Sequence, residues 1–128
     1  MSAITTHVLD TVLGKPAAGI AVRLEKLDGG GWLEILDGEP AERVRSAPCD
    51  WIEIATSATD ADGRCRDLAA DAPAGAYRLT FETGSYLKRQ GRTSIYPEIS
   101  ITFTCDGKEH YHLPLLLSDN SYTTYRGS

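Results

Sequence analysis

A period of two in the distribution of apolar residues constrains this chain more than any other feature. Apolar and polar side chains alternate in four segments, at residues 4–9, 20–25, 77–82 and 99–104. Because successive side chains of a β-strand point to opposite faces, each segment can bury one face and expose the other. Half-buried strands are typical of antiparallel sheets, so the pattern predicts an antiparallel all-β fold.

Glycine and proline clusters divide the chain into short segments. Turn signals fall at residues 14–16, 29–31, 62–63 and 72–75. Four further strands are predicted at residues 32–36, 51–58, 110–118 and 122–126. The resulting eight short strands favour a sandwich or barrel over βαβ units. Residues 84–91 are predicted to form one short helix of about two turns, and the charged segment 37–48 is expected to be a surface loop.

Length and charge narrow the class of protein. The 128 residues are expected to form a single domain, residues 1–128, which would bury about two-thirds of the surface of the unfolded chain. The net charge is −5 and lysine and arginine form no block, which argues against nucleic acid as a partner. The three cysteines are odd in number and lack CxxC spacing, as is usual for reduced cytoplasmic thiols. With neither a secretory signal nor a membrane span in the sequence, we expect a cytoplasmic protein and no membrane partner.

The predicted strand 110–118 presents two different faces. One face carries Tyr111, Leu113, Leu115 and Leu117 and is expected to lie in the core. The opposite face carries His110, His112, Pro114, Leu116 and Ser118, as expected of a site or an interface. Proline within a strand indicates an edge or irregular position. The Ser-Asp-Asn-Ser turn and the β-prone residues 122–126 then predict that the chain turns back toward its histidines.

Histidine and arginine side chains supply the candidate chemistry. His110 and His112 are two residues apart and share a strand face, so they could converge on one ligand or metal ion. With His7 they could form a three-histidine zinc site, or they could be ordinary solvated side chains. Arg64 follows an Asp-Gly turn, where its planar guanidinium could be presented from the rigid start of a strand or simply be solvated.

Two other kinds of site are excluded by the sequence. The stretch 60–63 is similar to the start of a calcium loop but lacks the distant bidentate glutamate. No nucleophile elbow or Ser-His-Asp set can be assembled. Any hydrolysis would therefore use activated water rather than a covalent serine intermediate.

Several motifs together carry a family resemblance. They are Thr-His-Val-Leu-Asp at 6–10, Asp-Gly-Arg at 62–64, Tyr-Arg-Leu-Thr-Phe-Glu-Thr-Gly at 77–84, Tyr-Pro-Glu at 96–98, His-Tyr-His-Leu-Pro-Leu-Leu-Leu-Ser at 110–118 and Tyr-Arg-Gly-Ser at 125–128. With this set, spread over nearly the whole chain, the sequence resembles the 5-hydroxyisourate hydrolase branch of the transthyretin-like protein family. The resemblance implies an eight-stranded, prealbumin-like antiparallel β-sandwich and a homotetramer with active sites at the dimer–dimer interface.

The resemblance also implies an activity and its residues. The expected reaction is hydrolysis of 5-hydroxyisourate to 2-oxo-4-hydroxy-4-carboxy-5-ureidoimidazoline in urate degradation, with no metal or organic cofactor. Carried over by motif, the catalytic residues would be His7, Arg64 and His112, and the substrate would be bound by His7, Arg64, Tyr125 and Ser128. A histidine would activate water while Arg64 stabilises the developing charge. The alternative is a non-catalytic carrier of small ligands of the transthyretin type.

Two segments depart from the family pattern. The stretch between Trp32 and Asp62 is about a dozen residues longer than expected, which is consistent with an inserted surface loop. Asp119 stands where a proline usually follows the serine, so the last turn is expected to differ. Neither departure falls within the matching motifs, so both concern the shape of the substrate channel rather than the reaction.

Overall fold

The computed structural model describes residues 2–29 and 49–127. The predicted strand 32–36, the predicted loop 37–48 and Ser128 lie outside these residues. Within them the elements are β1 Ser2–Asp10, β2 Lys15–Pro16, β3 Ala21–Gly29, β4 Cys49–Ala58, β5 Arg64–Ala72, β6 Gly75–Phe81, α1 Thr83–Arg89, β7 Ile99–Cys105, β8 Tyr111–Leu117 and β9 Tyr122–Thr124.

The strands form two sheets that enclose a common core. The first sheet has the order β2-β1-β8-β9, with β5 also paired to β1, and the second has the order β4-β3-β6-β7. Val8 and Leu115 from the first sheet join Leu24 and Leu79 from the second in one buried hydrophobic cluster. The predicted all-β sandwich is confirmed, and residues 2–29 and 49–127 contain one short helix, as predicted. In the described ranges, no helix is long and apolar enough to cross a membrane.

β5 is a strand that alternation does not reveal. Its buried residues Cys65, Leu68 and Ala72 are spaced by three and four positions. Pairing between β5 and β1 shifts register on both sides of Ile4. An irregularity of this kind breaks the period of two. The sequence therefore places Arg64 at the start of a strand without showing how far that strand extends.

β1 and β8 run parallel, with Ile4 opposite Tyr111 and Asp10 opposite Leu117. Within the part of the chain that the structure describes, this pair is the exception to the predicted antiparallel arrangement. Alternation shows which face of a strand is buried, but it does not show the direction of the neighbouring strand. The parallel register matters because it brings the first residues of β8 beside the first residues of β1.

β8 confirms the predicted division between two faces. Tyr111, Leu113, Leu115 and Leu117 are buried at 8%, 7%, 0% and 1% exposure. Pro114 does not lie on an edge strand, because β8 is flanked by β1 and β9. The β8–β9 ladder includes Leu115 opposite Thr124 but not Pro114, and the Pro114 carbonyl accepts a hydrogen bond from Thr124 Oγ1 at 2.8 Å. Pro114 keeps a continuous register with β1, opposite His7, so the predicted edge or irregular position is not found.

A buried ion-pair cluster fixes the far end of β1. The Asp10 side chain is fully buried, and Arg92 Nη1 donates to its Oδ2 atom at 2.6 Å. Arg92 Nη2 also donates to Asp119 Oδ1 at 2.6 Å, and Tyr86 on α1 donates to Asp10 Oδ2 at 2.9 Å. This cluster, Asp10, Tyr86, Arg92 and Asp119, ties β1 to α1 and to the β8–β9 turn. The departure at Asp119 therefore supplies an ionic contact to that turn.

Candidate active site

β1 carries the centre of the candidate site, because β5 and β8 pair with it on opposite sides. His7 lies opposite Arg64 on β5, and Thr5 lies opposite His112 on β8. Thr5 and His7 share one face of β1, two residues apart. The structure thus brings together His7, Arg64 and His112, although Arg64 lies 57 positions after His7 and 48 positions before His112 in the sequence. Neither pairing can be read from the sequence alone.

A polar cleft of about 330 Å³ opens over these strands. It is lined by Thr5, Thr6, Arg64, Arg66, His110 and His112. Hydroxyl, guanidinium and imidazole groups are suited to hydrogen-bond a polar ring compound and to stabilise negative charge on its oxygen atoms. The arrangement can therefore bind and polarise a small carbonyl compound.

The turn before Arg64 is held by its own backbone. Asp60 Oδ1 accepts the backbone amides of Asp62 and Arg64 at 2.9 and 3.0 Å. Gly63 has a φ of +77°, and a Cβ atom there would lie 2.4 Å from the Val8 carbonyl oxygen, so only glycine fits. Arg64 is therefore presented from a rigid turn, which is one of the two alternatives that the sequence left open. The carboxylate that resembled a calcium ligand instead accepts these amides.

His7 is oriented by the same turn. Its Nε2 atom lies 2.9 Å from the carbonyl oxygen of Asp62. A carbonyl can only accept, so Nε2 carries the proton in this contact. The neutral His7 ring then has its free lone pair on Nδ1, and the hydrogen bond fixes the plane of the ring.

Thr5 joins the two histidines of β8. Its Oγ1 atom lies 2.8 Å from His112 Nδ1 and 3.0 Å from His110 Nε2. The two ring centroids are 6.4 Å apart. The sequence placed His110 beside His112 on one face but did not predict their shared contact with Thr5, although alternation placed Thr5 on the same face as His7.

Metal binding has no ligand set in the described part of the chain. No group of three or more His, Cys, Asp or Glu side chains in residues 2–29 and 49–127 is placed to hold a metal ion. His7 is turned to the Asp62 carbonyl, while His110 and His112 face the Thr5 hydroxyl. The three-histidine zinc site considered from the sequence is therefore not assembled among these residues.

The environment of His112 favours its neutral form. Burial lowers the pKa of His112, and the positive charges of Arg64, His110 and His7 lower it further. A neutral imidazole is the form that can accept a proton. His112 therefore has the protonation state that a general base needs near neutral pH.

The chain end packs against the same histidine. Gly127 donates its amide to the His112 carbonyl oxygen at 2.7 Å, and a Cβ atom at position 127 would lie 2.8 Å from His112 Cδ2. The Arg126 guanidinium stacks over the Tyr111 ring at 4.2 Å and donates to Glu109 Oε2 at 3.2 Å. The prediction that the chain turns back toward its histidines is confirmed.

Tyr125 and Ser128 are the two tail residues expected to bind substrate. Tyr125 is 53% exposed and precedes by two residues the glycine that bonds to His112. Ser128 lies outside the described residues. β9 ends at Thr124, so the predicted strand 122–126 is shorter than expected, and its last two residues lead into the contact with β8.

A two-sheet β-sandwich with a polar cleft of histidine and arginine side chains at its surface is typical of a small β-domain that binds or converts a small molecule. A sequence model of the HIUase/Transthyretin family matches residues 4–127. The 5-hydroxyisourate hydrolase of Mus musculus is 42% identical over 131 residues, which cover 99% of this chain and 96% of the mouse protein. The chain belongs to the HIUase/transthyretin family.

Solved structures agree with this assignment. The 5-hydroxyisourate hydrolase of Klebsiella pneumoniae matches with a TM-score of 0.76 and 36% identity, covering 100% of both chains. Transthyretin from Sparus aurata matches with a TM-score of 0.78 and 31% identity, covering 98% of this chain and 96% of that chain. The predicted transthyretin-like sandwich is thereby confirmed, and both branches of the family share its fold.

Proposed function

We propose that the protein hydrolyses 5-hydroxyisourate to 2-oxo-4-hydroxy-4-carboxy-5-ureidoimidazoline, a step of urate degradation. The observation that carries the proposal is the juxtaposition of Arg64 with a half-buried His112 whose pKa is lowered. The similarity to hydrolases of that name from Mus musculus and Klebsiella pneumoniae gives further support.

In the proposed reaction His112 acts as the general base. The neutral imidazole takes a proton from a water molecule, and the resulting hydroxide attacks a ring carbonyl of the substrate. Arg64 stabilises the negative charge that develops on the carbonyl oxygen. The ring C–N bond then breaks, and the leaving nitrogen takes up a proton. His7, held by the Asp62 carbonyl, helps to position the water.

No metal or organic cofactor is required by this scheme. The imidazole activates water and the guanidinium stabilises charge, which are the two tasks that a catalytic metal would otherwise perform. Tyr125 and Ser128 are proposed to contact the substrate from the tail. The two cysteines whose side chains are described, Cys65 and Cys105, are buried free thiols, which supports a reducing cytoplasmic location.

We further propose a homotetramer in which two subunits meet over the cleft. On the cleft face of the first sheet, Leu9 and Leu116 are partly exposed in the single chain. Tyr122 and Tyr125 of the tail are 41% and 53% exposed. Aromatic and aliphatic side chains around a polar centre suit an isologous contact between copies of one chain.

The competing function is a non-catalytic carrier of small ligands. It is favoured by the structural match to Sparus aurata transthyretin. Against it stands the cleft lining, in which two arginines and two histidines surround the opening. A carrier site for an apolar ligand would be lined mainly by apolar and aromatic side chains.

The test is the ultraviolet decay of freshly prepared 5-hydroxyisourate with the wild-type protein, His112→Ala and Arg64→Ala, each with and without chelator. We expect wild type to accelerate decay regardless of chelator, and each variant to lose on the order of 100-fold or more. Arg89→Ala is the matched control, because Arg89 is exposed on α1 and donates to the Gly19 carbonyl. Wild-type decay equal to the spontaneous rate would reject the enzyme and leave the carrier.

A further inference from the structure

We propose that Thr5 and His110 are positioning residues that set which ring nitrogen of His112 carries the proton. The hydrogen bonds run from His112 Nδ1 through Thr5 to His110 Nε2. The inference about the tautomer rests on this shared contact, while its effect on rate rests on the proposed function.

The argument begins with the single proton of the Thr5 hydroxyl. Oγ1 contacts His112 Nδ1 at 2.8 Å and His110 Nε2 at 3.0 Å. A hydroxyl has one hydrogen to donate and two lone pairs to accept. Thr5 can donate to one histidine and accept an N–H from the other, in two arrangements, or it can accept an N–H from both and donate elsewhere. The two ring nitrogens that face Thr5 therefore cannot both be unprotonated.

Only one of the two arrangements leaves His112 able to act as a base through Nε2. In it, His112 Nδ1–H donates to Thr5, and Thr5 donates to the unprotonated Nε2 of His110. In the other arrangement, His110 Nε2–H donates to Thr5, which donates to His112 Nδ1. The proton of neutral His112 then sits on Nε2, and that nitrogen cannot accept another.

His110 is exposed, whereas His112 is half-buried. The row therefore runs from a half-buried ring to the surface of the protein.

The charged groups around the row come from two strands, from Glu109 before β8 and from the tail. Arg64 and Arg66 of β5 line the same cleft, and His7 lies on β1. On the tail side, Arg126 donates to the His110 carbonyl at 3.2 Å and to the Glu109 carboxylate. The surroundings are mainly positive, and the neighbouring carboxylate is paired with Arg126 rather than directed at either ring.

The tautomer is measured directly by ¹⁵N NMR of the ring nitrogens, with the His112 signals assigned by their loss in His112→Ala. At pH 8 we expect wild-type His112 to be protonated mainly on Nδ1. Thr5→Val removes the acceptor of that proton, and His110→Phe removes the acceptor of the Thr5 proton. Both variants should shift His112 toward Nε2–H.

Measurements of kcat and KM distinguish a positioning role of Thr5 and His110 from a purely structural one. Thr5→Val and His110→Phe should lower kcat on the order of 10-fold to 100-fold while KM changes less than about threefold. Thr5→Ser keeps the hydroxyl and should stay within about threefold of wild type. Thr11→Val is the matched control, because Thr11 Oγ1 donates to the Leu117 carbonyl at 3.0 Å in the same strand pair, away from both histidines.

Each outcome decides one part of the inference. Nε2–H as the main wild-type tautomer, or no shift in the two variants, would overturn it. A shifted tautomer with unchanged kcat would overturn the positioning role. A shifted tautomer in a protein that does not accelerate 5-hydroxyisourate decay would support the hydrogen-bond row and reject the proposed function.

Discussion

At the scale of single residues, the candidate site depends on how neighbours tune one imidazole. Burial lowers the pKa of His112 first, and the charge of Arg64 is the next contribution. An unperturbed histidine has a pKa of about 6.5. Lowering the pKa keeps the base form populated at more acidic pH. We therefore expect the acid limb of kcat/KM to lie below about pH 6.5.

Arg64→Gln tests the cause of that shift. Removing the positive charge should move the acid limb of kcat/KM to higher pH, even though the rate falls, because the base form is then lost sooner on acidification. The movement should be partial, since burial is the larger contribution. Arg89→Gln, an exposed change on α1, should leave the limb in place. An acid limb at or above pH 6.5 in the wild type would contradict the assignment of His112 as the base.

The sequence predicts the identity of the candidate residues better than their contacts. His112 could be assigned to the cleft face of β8 because alternation along a strand is local. The Thr5 contact could not, since it requires the parallel register of β1 and β8, which joins residues separated by more than a hundred positions. The contact of His110 could not be predicted for the same reason, because its partner Thr5 lies on another strand.

At the scale of elements, the buried cluster around Asp10 holds β1, α1 and the β8–β9 turn in one arrangement. Arg92→Met would leave a fully buried carboxylate without its partner. Loss of one member of a buried pair costs about 3–5 kcal/mol in the free energy of unfolding. Asp119→Asn should cost less than about 1 kcal/mol, because Asp119 is 39% exposed and screened by solvent. Urea unfolding monitored by circular dichroism measures both.

The same cluster gives stability a pH dependence of definite sign. Burial raises the pKa of Asp10, but hydrogen bonds from Arg92, Leu13 and Tyr86 outweigh burial and leave the pKa below its usual value. The contribution of Asp10 is therefore present above its unfolded pKa of about 3.9 and is lost as pH falls through the lower folded value. Arg92→Met should flatten this acid dependence. Equal stability of Arg92→Met and wild type would contradict the role of the cluster.

Strand prediction succeeds or fails for reasons that belong to each element. β8 was predicted with its core face because Tyr111, Leu113, Leu115 and Leu117 recur at every second position, although Pro114 on the opposite face is buried as well. β5 was missed because bulged pairing with β1 spaces its buried residues by three and four. α1 was found from a short segment between glycines, one residue later than its observed start. Local periodicity thus fixed the faces of strands, while irregular pairing and strand direction depended on distant partners.

At the scale of the whole molecule, the last described residues lie closer to the candidate site than the first. Gly127 donates its amide to the His112 carbonyl at 2.7 Å. Ser2 instead is buried at the start of β1, opposite Ala72, about 10 Å of strand before Thr5. A bulky fusion after Ser128 would therefore follow closely on the residue that packs against His112, and in the proposed tetramer it would also crowd the facing subunit.

A bulky domain fused after Ser128 should lower kcat/KM for 5-hydroxyisourate on the order of 100-fold, because a small displacement of the tail misplaces the groups around His112. The same domain fused before Met1 should cost less than about threefold. Protease cleavage in the linker of the C-terminal fusion should restore most of the activity, which separates crowding of the cleft from misfolding. Light scattering of both fusions measures whether the tetramer survives. Equal activity of the two intact fusions would contradict a catalytic tail, because a fused domain cannot follow residue 128 without disturbing Gly127 and the imidazole beneath it.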